Sequence, residues 1–253
     1  PFQPLTSKAR YLEDLARIQR YLQAGDCYQV NYAQAFRAEC TGAGADAMQR
    51  LLQLSQASHA AWLCWPEGEV FSLSPELFLS VRQREVTTRP IKGTAPRGQE
   101  AASDDALRAG LADSPKNRAE NLMIVDLLRN DLGRHAETGT VRVEKLFAIE
   151  SLPQVHHMVS TVKARLRADS QVIDLIRDCF PGGSITGAPK RRAMEIIAEL
   201  EPTPRSVYCG AIGYINHDGD AELNIAIRTL LRVGDTLYAW AGGGIVADSD
   251  PEA

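Results

Sequence analysis

The sequence has no surplus of positive charge. Its 253 residues hold 28 Lys and Arg against 32 Asp and Glu, a formal net charge of −4, and the isoelectric point lies near 5.8. A nucleic-acid surface, which needs a basic stripe, is not expected. An anionic small substrate stays open, because a few placed cations dominate a local field. Cysteine is scarce and poorly spaced: Cys27, Cys40, Cys64, Cys179 and Cys209 are odd in number and no two form a C-x-x-C pair. Neither a disulfide framework nor a zinc site follows, and reduced intracellular thiols are the better reading. No apolar run approaches the length of a membrane span, and no signal peptide leads the chain. The expected setting is the cytoplasm, without membrane contact. There is no repeat, low-complexity linker or block of like charge, so one domain over residues 1–253 is expected. Pro1 at the start and Ala253 at the end read as cuts in a longer protein or as limits of its ordered residues.

What is present is ordinary for a soluble globular chain: 44% hydrophobic and 24% charged residues. Tyr11, Leu15, Ile18 and Leu22 recur at helical steps, and Gly25 closes the run, which predicts a helix over 7–24. Residues 28–39 and 60–82 read as extended, with a turn at Pro66-Glu67-Gly68. A helix is expected over 115–132, with Pro115 near its start and Gly133 just past its end. Residues 155–166 alternate like a strand, and 170–179 and 189–200 are again helical. The last third reads as a β-meander, with strands near 207–216, 221–232 and 236–241 joined at Asp218-Gly219 and Gly234-Asp235. Strands and helices mix without a βαβ rhythm, so the fold class is α+β.

Several segments could carry chemistry. Phe180 to Lys190 is a glycine-rich loop feeding a helix, a place for an anion at free backbone N–H groups. It is not a phosphate loop, because Ala188 stands where the Walker lysine belongs. A carboxylate fits better. On the 115–132 helix Glu120 shares a face with Ile124 and Leu127, so its carboxylate needs a partner: a structural cation, the commoner case, or a divalent ion. Lys92 sits in the turn-rich run Arg89 to Gly98, open to being a nucleophile or a solvated surface lysine. Glu76 is a general acid or a turn residue. His157 faces one side of its strand and His156 the other. Arg228 lies in an apolar strand and would want a carboxylate, and Tyr208 opens the neighbouring strand.

Together these segments resemble the chorismate-utilising enzymes. The matching blocks are GDCYQVNYAQ (25–34), SPELF (74–78), RPIKGTAPRG (89–98), AENLMIVDLLRNDLGR (119–134), VHHMVS (155–160), FPGGSITGAPKRRAME (180–195), CGAIGY (209–214), NIAIRT (224–229) and AGGGIVADSDPEA (241–253). They cover nearly the whole chain. The lysine in PIKGT brings the resemblance closest to the aminodeoxychorismate synthase component I branch; an anthranilate synthase or another chorismate enzyme is the near alternative, and a non-catalytic chorismate-binding fragment is a further one.

The resemblance implies an α/β/β/α sandwich and amination of chorismate on the way to p-aminobenzoate and folate. It implies Lys92 as a covalent nucleophile, Glu76 as the acid, and Glu120 as a ligand of Mg²⁺. It gives Tyr208, Arg228, Gly243 and Gly244 to the substrate carboxylates, and Ser184, Thr94 and His157 to positioning. Ammonia would come from a glutamine amidotransferase subunit. In the family a further glutamate, beyond the position of Ala253, completes the metal site, and an N-terminal portion precedes the position of Pro1. Weak Mg²⁺ binding to this chain is therefore expected.

Overall fold

Ser7 opens the first helix. Its hydroxyl accepts a hydrogen bond from the Arg10 amide at 3.3 Å, capping α1 (Lys8–Gln23), and Gly25 follows in the left-handed conformation at φ 78°. The structure, a computed structural model, describes residues 1–250. Leu15, Ile18 and Leu22 lie on one face of α1 because they are three and four residues apart. They pack with Val30 and Tyr32 of β2 (Gln29–Glu39) and with Ala193, Ile196 and Leu200 of α6 (Lys190–Leu200) in one buried cluster.

Among the described residues there are two antiparallel sheets of seven strands each. The first runs β1 (Gln3–Pro4), β2, β14 (Thr236–Ile245), β13 (Thr229–Val233), β4 (Gly68–Ser74) and β3 (His59–Trp65), with β10 (Gly187–Ala188) also on β2. The second runs β11 (Ala211–Ile215), β12 (Ala221–Ile225), β5 (Leu77–Arg82), β6 (Glu85–Arg89), β9 (Val155–Arg165) and β7 (Ile91–Pro96), with β8 (Arg142–Ser151) also on β9. The remaining helices are α2 (Gly44–Ser55), α3 (Ala101–Asp113), α4 (Pro115–Gly133) and α5 (Val172–Cys179). The class is α+β, as the sequence predicts.

The backbone gathers into two compact units. One comprises Pro1–Pro75, Pro181–Ile212 and the chain from Ile225 on; the other comprises Glu76–Phe180 and Gly213–Asn224. In the first, β2 and β14 pair over ten positions, from Thr236↔Glu39 to Ile245↔Val30. Because side chains alternate, Val30 and Tyr32 face the helices while Gln29, Asn31 and Ala33 face the opposite side of the sheet. Directly paired residues share a face, so Gly244, opposite Asn31, lies on that second side.

In the second unit α4 packs along β9 and β7. Ser114 caps it, accepting from Asn117 N at 3.3 Å, with Pro115 at the first helical position. Ile124, Val125, Leu128 and Leu132 form its buried face. Asn121, fully buried beside them, accepts from Ser160 Oγ at 2.5 Å and donates to Met158 O at 3.4 Å. This polar pin fixes the helix on β9 and so sets the position of the adjacent Glu120.

The structure departs from the sequence reading in four places. The run 60–82 turns at Pro66-Glu67 as expected but breaks a second time at Pro75-Glu76, giving three strands, β3, β4 and β5. Arg89 to Gly98 is not a loop, since β7 occupies most of it. Residues 207–210 form a turn, so Tyr208 precedes the strand β11 instead of opening it. The expected strand 221–232 breaks at Ala226 to Arg228, and β12 pairs with β5 while β13 pairs with β4 in the other sheet. A run of apolar residues alone does not reveal which sheet each half joins.

Two turns held. Gly219 and Gly234 both take positive φ in their hairpins. A third hairpin, β5 to β6, was invisible because Gln83 (φ 47°) and Arg84 (φ 68°) fill positions that ordinarily call for Asn-Gly. Its compensation is tertiary: the Arg84 guanidinium donates to the carbonyls of Leu166, Arg167 and Ser170.

Candidate active site

The candidate residues divide between the two units. In the second, β7 carries Lys92 and Thr94. The register between β7 and β9 slips between Ile91 and Thr94, and Gly93 takes φ 93° there. Such a bulge re-aims the side chains around it. A Cβ on Gly93 would press within about 3.0 Å of the Asn117 side chain, so only glycine lets β7 approach the first turn of α4 this closely. Glu120 lies one turn further along the same helix.

Thr94 and His157 are register partners, and Thr94 Oγ1 lies 2.9 Å from His157 Nδ1. His157 is buried. His156 faces the other way, as the alternation requires: its Nδ1 meets Ser151 Oγ at 2.8 Å and its Nε2 meets Asp104 Oδ1 at 2.9 Å. Asp104 also accepts two bonds from Arg97, at 2.7 and 2.8 Å, and one from the Gly98 amide at 2.8 Å. The Arg97 hydrogen bond above all, then the Gly98 amide, holds the Asp104 carboxyl far below the usual carboxylate range. This cluster ties the chain just after β7 to α3 and β9. Glu76, 4% exposed, precedes β5, whose Leu77 pairs with Arg89 just ahead of β7.

In the first unit Ser184 is buried in a short 3-10 turn, Gly183–Ile185. The glycine loop turns out to serve packing in part. Gly187, at φ 139°, lies so close to the Gln29 backbone that a Cβ would collide with it. Tyr208 is buried and stacks on Trp240, with ring centroids 6.3 Å apart and planes 11° from parallel. Burial pushes its phenol well above the ordinary range. Arg228 is not in a strand facing inward: it lies exposed between β12 and β13 with φ 51°. A non-glycine residue in that region costs about 1–2 kcal/mol, a strain that often accompanies function.

Gly243 and Gly244 lie in β14. A Cβ on Gly244 would run into the amide of Gln29, and that amide is the unexpected feature of this wall. Gln29 is fully buried, and neither its Nε2 nor its Oε1 has a hydrogen bond. A buried amide left unsatisfied asks for a ligand or water as its partner. Sequence reasoning passed over Gln29, because a single glutamine in an alternating strand carries no distinctive spacing.

The family described as chorismate binding enzyme matches the sequence over residues 1–253. The chain belongs to that family. It is 54% identical over 247 residues to the aminodeoxychorismate synthase component 1 of Klebsiella aerogenes, covering 98% of this chain and 55% of the relative. It is 40% identical over 251 residues to an anthranilate synthase component 1 of Haloarcula marismortui, covering 99% and 51%. The fold superposes with TM-score 0.92 on the crystal structure of anthranilate synthase component I from Streptococcus pneumoniae, at 36% identity, covering 100% of this chain and 56% of that one. The chain thus spans about half the length of the relatives it matches. The chorismate-binding fold expected from the sequence blocks is the one observed, the Pro251 to Ala253 end of the last block lying outside the described residues. No helix among the described residues is long and apolar enough to cross a membrane.

For the Mg²⁺ that the family resemblance implies, the candidate ligand is Glu120. Glu120 is half-buried and has no ion-pair partner among the described residues, so the structural salt bridge weighed from the sequence is absent there and the carboxylate is available as a ligand. No group of three His, Cys, Asp or Glu side chains among those residues is placed to hold an ion. One carboxylate fits the ion; the described residues alone do not make its cage.

Proposed function

We propose that this chain carries the chorismate-aminating centre of an aminodeoxychorismate synthase, working in the cytoplasm on the route to p-aminobenzoate and folate. The observation that carries the reading is the 54% identity to an aminodeoxychorismate synthase component 1 against 40% to an anthranilate synthase. The placement of Lys92 beside the Gly93 bulge supports it.

In this reading Lys92 Nζ bonds to C2 of chorismate as the C4–oxygen bond breaks, and Glu76 supplies the proton with which that hydroxyl leaves as water. Ammonia, delivered by a glutamine amidotransferase partner, then adds at C4 and the C2–nitrogen bond breaks, freeing the lysine. Glu76 takes back the proton shed by the new amino group. The net change exchanges a hydroxyl for an amine and releases water. Tyr208, Arg228 and the Gly243–Gly244 backbone hold the substrate's carboxylates, while Ser184, Thr94 and His157 fix its orientation. Mg²⁺, when bound, supplies charge neutralisation at the ring carboxylate, with Glu120 as its ligand from this chain.

The test is product identity. The full-length natural protein is incubated with chorismate, ammonium and Mg²⁺, and the product is identified by chromatography and mass. A para-aminated product that a lyase converts to p-aminobenzoate supports the reading. An ortho-aminated product would assign anthranilate chemistry instead, and chorismate binding without turnover would reduce the chain to a scaffold. Lys92→Ala should lower turnover at least about a hundredfold; normal para-amination by that variant would remove the nucleophile from the mechanism.

A further inference from the structure

The outer edge of β2 is paired at both ends and open in the middle. β10 pairs at Gln29 and Val30, and β1 pairs at Phe36 and Arg37. Between them two side chains fill positions that a strand would take. Ala33 N donates to Glu201 Oε1 at 2.8 Å, and Arg205 Nη2 donates to Asn31 O at 2.5 Å. Glu201 and Arg205 lock each other in a fork, with Nε to Oε2 at 2.8 Å and Nη2 to Oε1 at 2.6 Å. Their side chains are only 6% and 13% exposed.

Arg205 reaches further, through its side chain and its backbone. Arg205 Nη1 donates to Ile185 O at 2.8 Å, next to Ser184. Arg205 O accepts from Tyr208 N at 2.9 Å. Asn31 is the register partner of Gly244, and Ala33 that of Gly242. The ion pair thus touches the Ser184 turn and the strand that holds the glycines of β14, and Arg205 itself begins the backbone turn that carries Tyr208.

We propose that Arg205 and Glu201 are positioning residues for the chorismate carboxylates, setting the spacing between the Ser184 turn, Tyr208 and the Gly244 backbone. This rests on the reading of chorismate as substrate. A buried ion pair is a poor way to stabilise a fold, since desolvation offsets most of the attraction and apolar replacements often do as well. Its distinctive contribution is geometric, because the planar guanidinium fixes several acceptors at set angles. Lysine keeps the charge but not the fork, so it cannot hold Ile185 O, Asn31 O and Glu201 at once.

The experiment compares the full-length protein with its Arg205→Lys and Glu201→Gln variants. Thermal midpoint, kcat, and KM for chorismate and for ammonium are measured for each. The expected result is a chorismate KM raised about tenfold or more, with kcat within about threefold and the ammonium KM unchanged. A merely structural pair would lower the thermal midpoint and the active fraction and leave the chorismate KM alone. Folded Arg205→Lys protein with a chorismate KM within about twofold of the unmodified enzyme would overturn the proposal. So would failure of both variants to fold at 25 °C, which would make the pair a determinant of the fold. If the unmodified protein does not bind chorismate, the substrate reading itself falls, and the role of the pair falls with it.

Discussion

Thr94 and His157 stand opposite each other on β7 and β9, and their side chains meet at 2.9 Å across the pairing. The bond holds the imidazole of a buried histidine in one orientation beside the strand that bears Lys92. Thr94→Val keeps the shape and removes the bond. It should lower stability by about 1 kcal/mol and weaken chorismate binding severalfold, read by thermal melting and by calorimetric titration. Unchanged affinity in a folded Thr94→Val protein would take His157 out of the positioning set.

Glu120 is the carboxylate of this chain to which the resemblance assigns the ion. Mg²⁺ should bind this chain only weakly, with a dissociation constant on the order of millimolar. Glu120→Gln should abolish the calorimetric signal without lowering the thermal midpoint, because Glu120 makes no ion pair among the described residues. Tight binding that survives Glu120→Gln would locate the ion elsewhere.

Asp104 makes the acid side of stability predictable in sign. Its folded carboxyl is held low by Arg97 first and the Gly98 amide second. A depressed carboxyl stabilises the fold above its unfolded pKa of about 3.9, and that contribution is lost as pH falls through the folded value. Asp104→Asn lacks it at every pH. Thermal midpoints of the two proteins should therefore differ at pH 6 and converge as the pH drops below about 4. Parallel curves down to pH 2 would show that the cluster does not titrate as described.

Cys209 lies buried beside Tyr208, and burial pushes its thiol up to about 11. Cys64 is exposed. At pH 8 a thiol reagent should modify Cys64 first and leave Cys209 untouched until the protein unfolds. Peptide mass mapping after brief alkylation checks the order; early labelling of Cys209 would mean that the Tyr208 turn opens in the native state.

The sequence by itself determined the family and the α+β class, because long ordered blocks and helical or alternating periodicity are properties of neighbours along the chain. It placed α1, α4 and α6 within a few residues, and it assigned His156 and His157 to opposite faces of β9. What it could not reach were relations between distant segments. Lys92 was read in a loop because Gly93 and the flanking prolines resemble turn chemistry, whereas pairing with β9 makes that stretch a strand with a bulge. Arg228 was read into one strand that in fact divides between two sheets. Gln29 and Asn121 looked like ordinary polar residues until the packing around them was complete. The i, i+4 spacing of Glu201 and Arg205 could be seen in the chain, but their role could not. Their hydrogen bonds go to the edge of β2, more than 160 residues away, and only tertiary structure decides which backbone groups a side chain will satisfy.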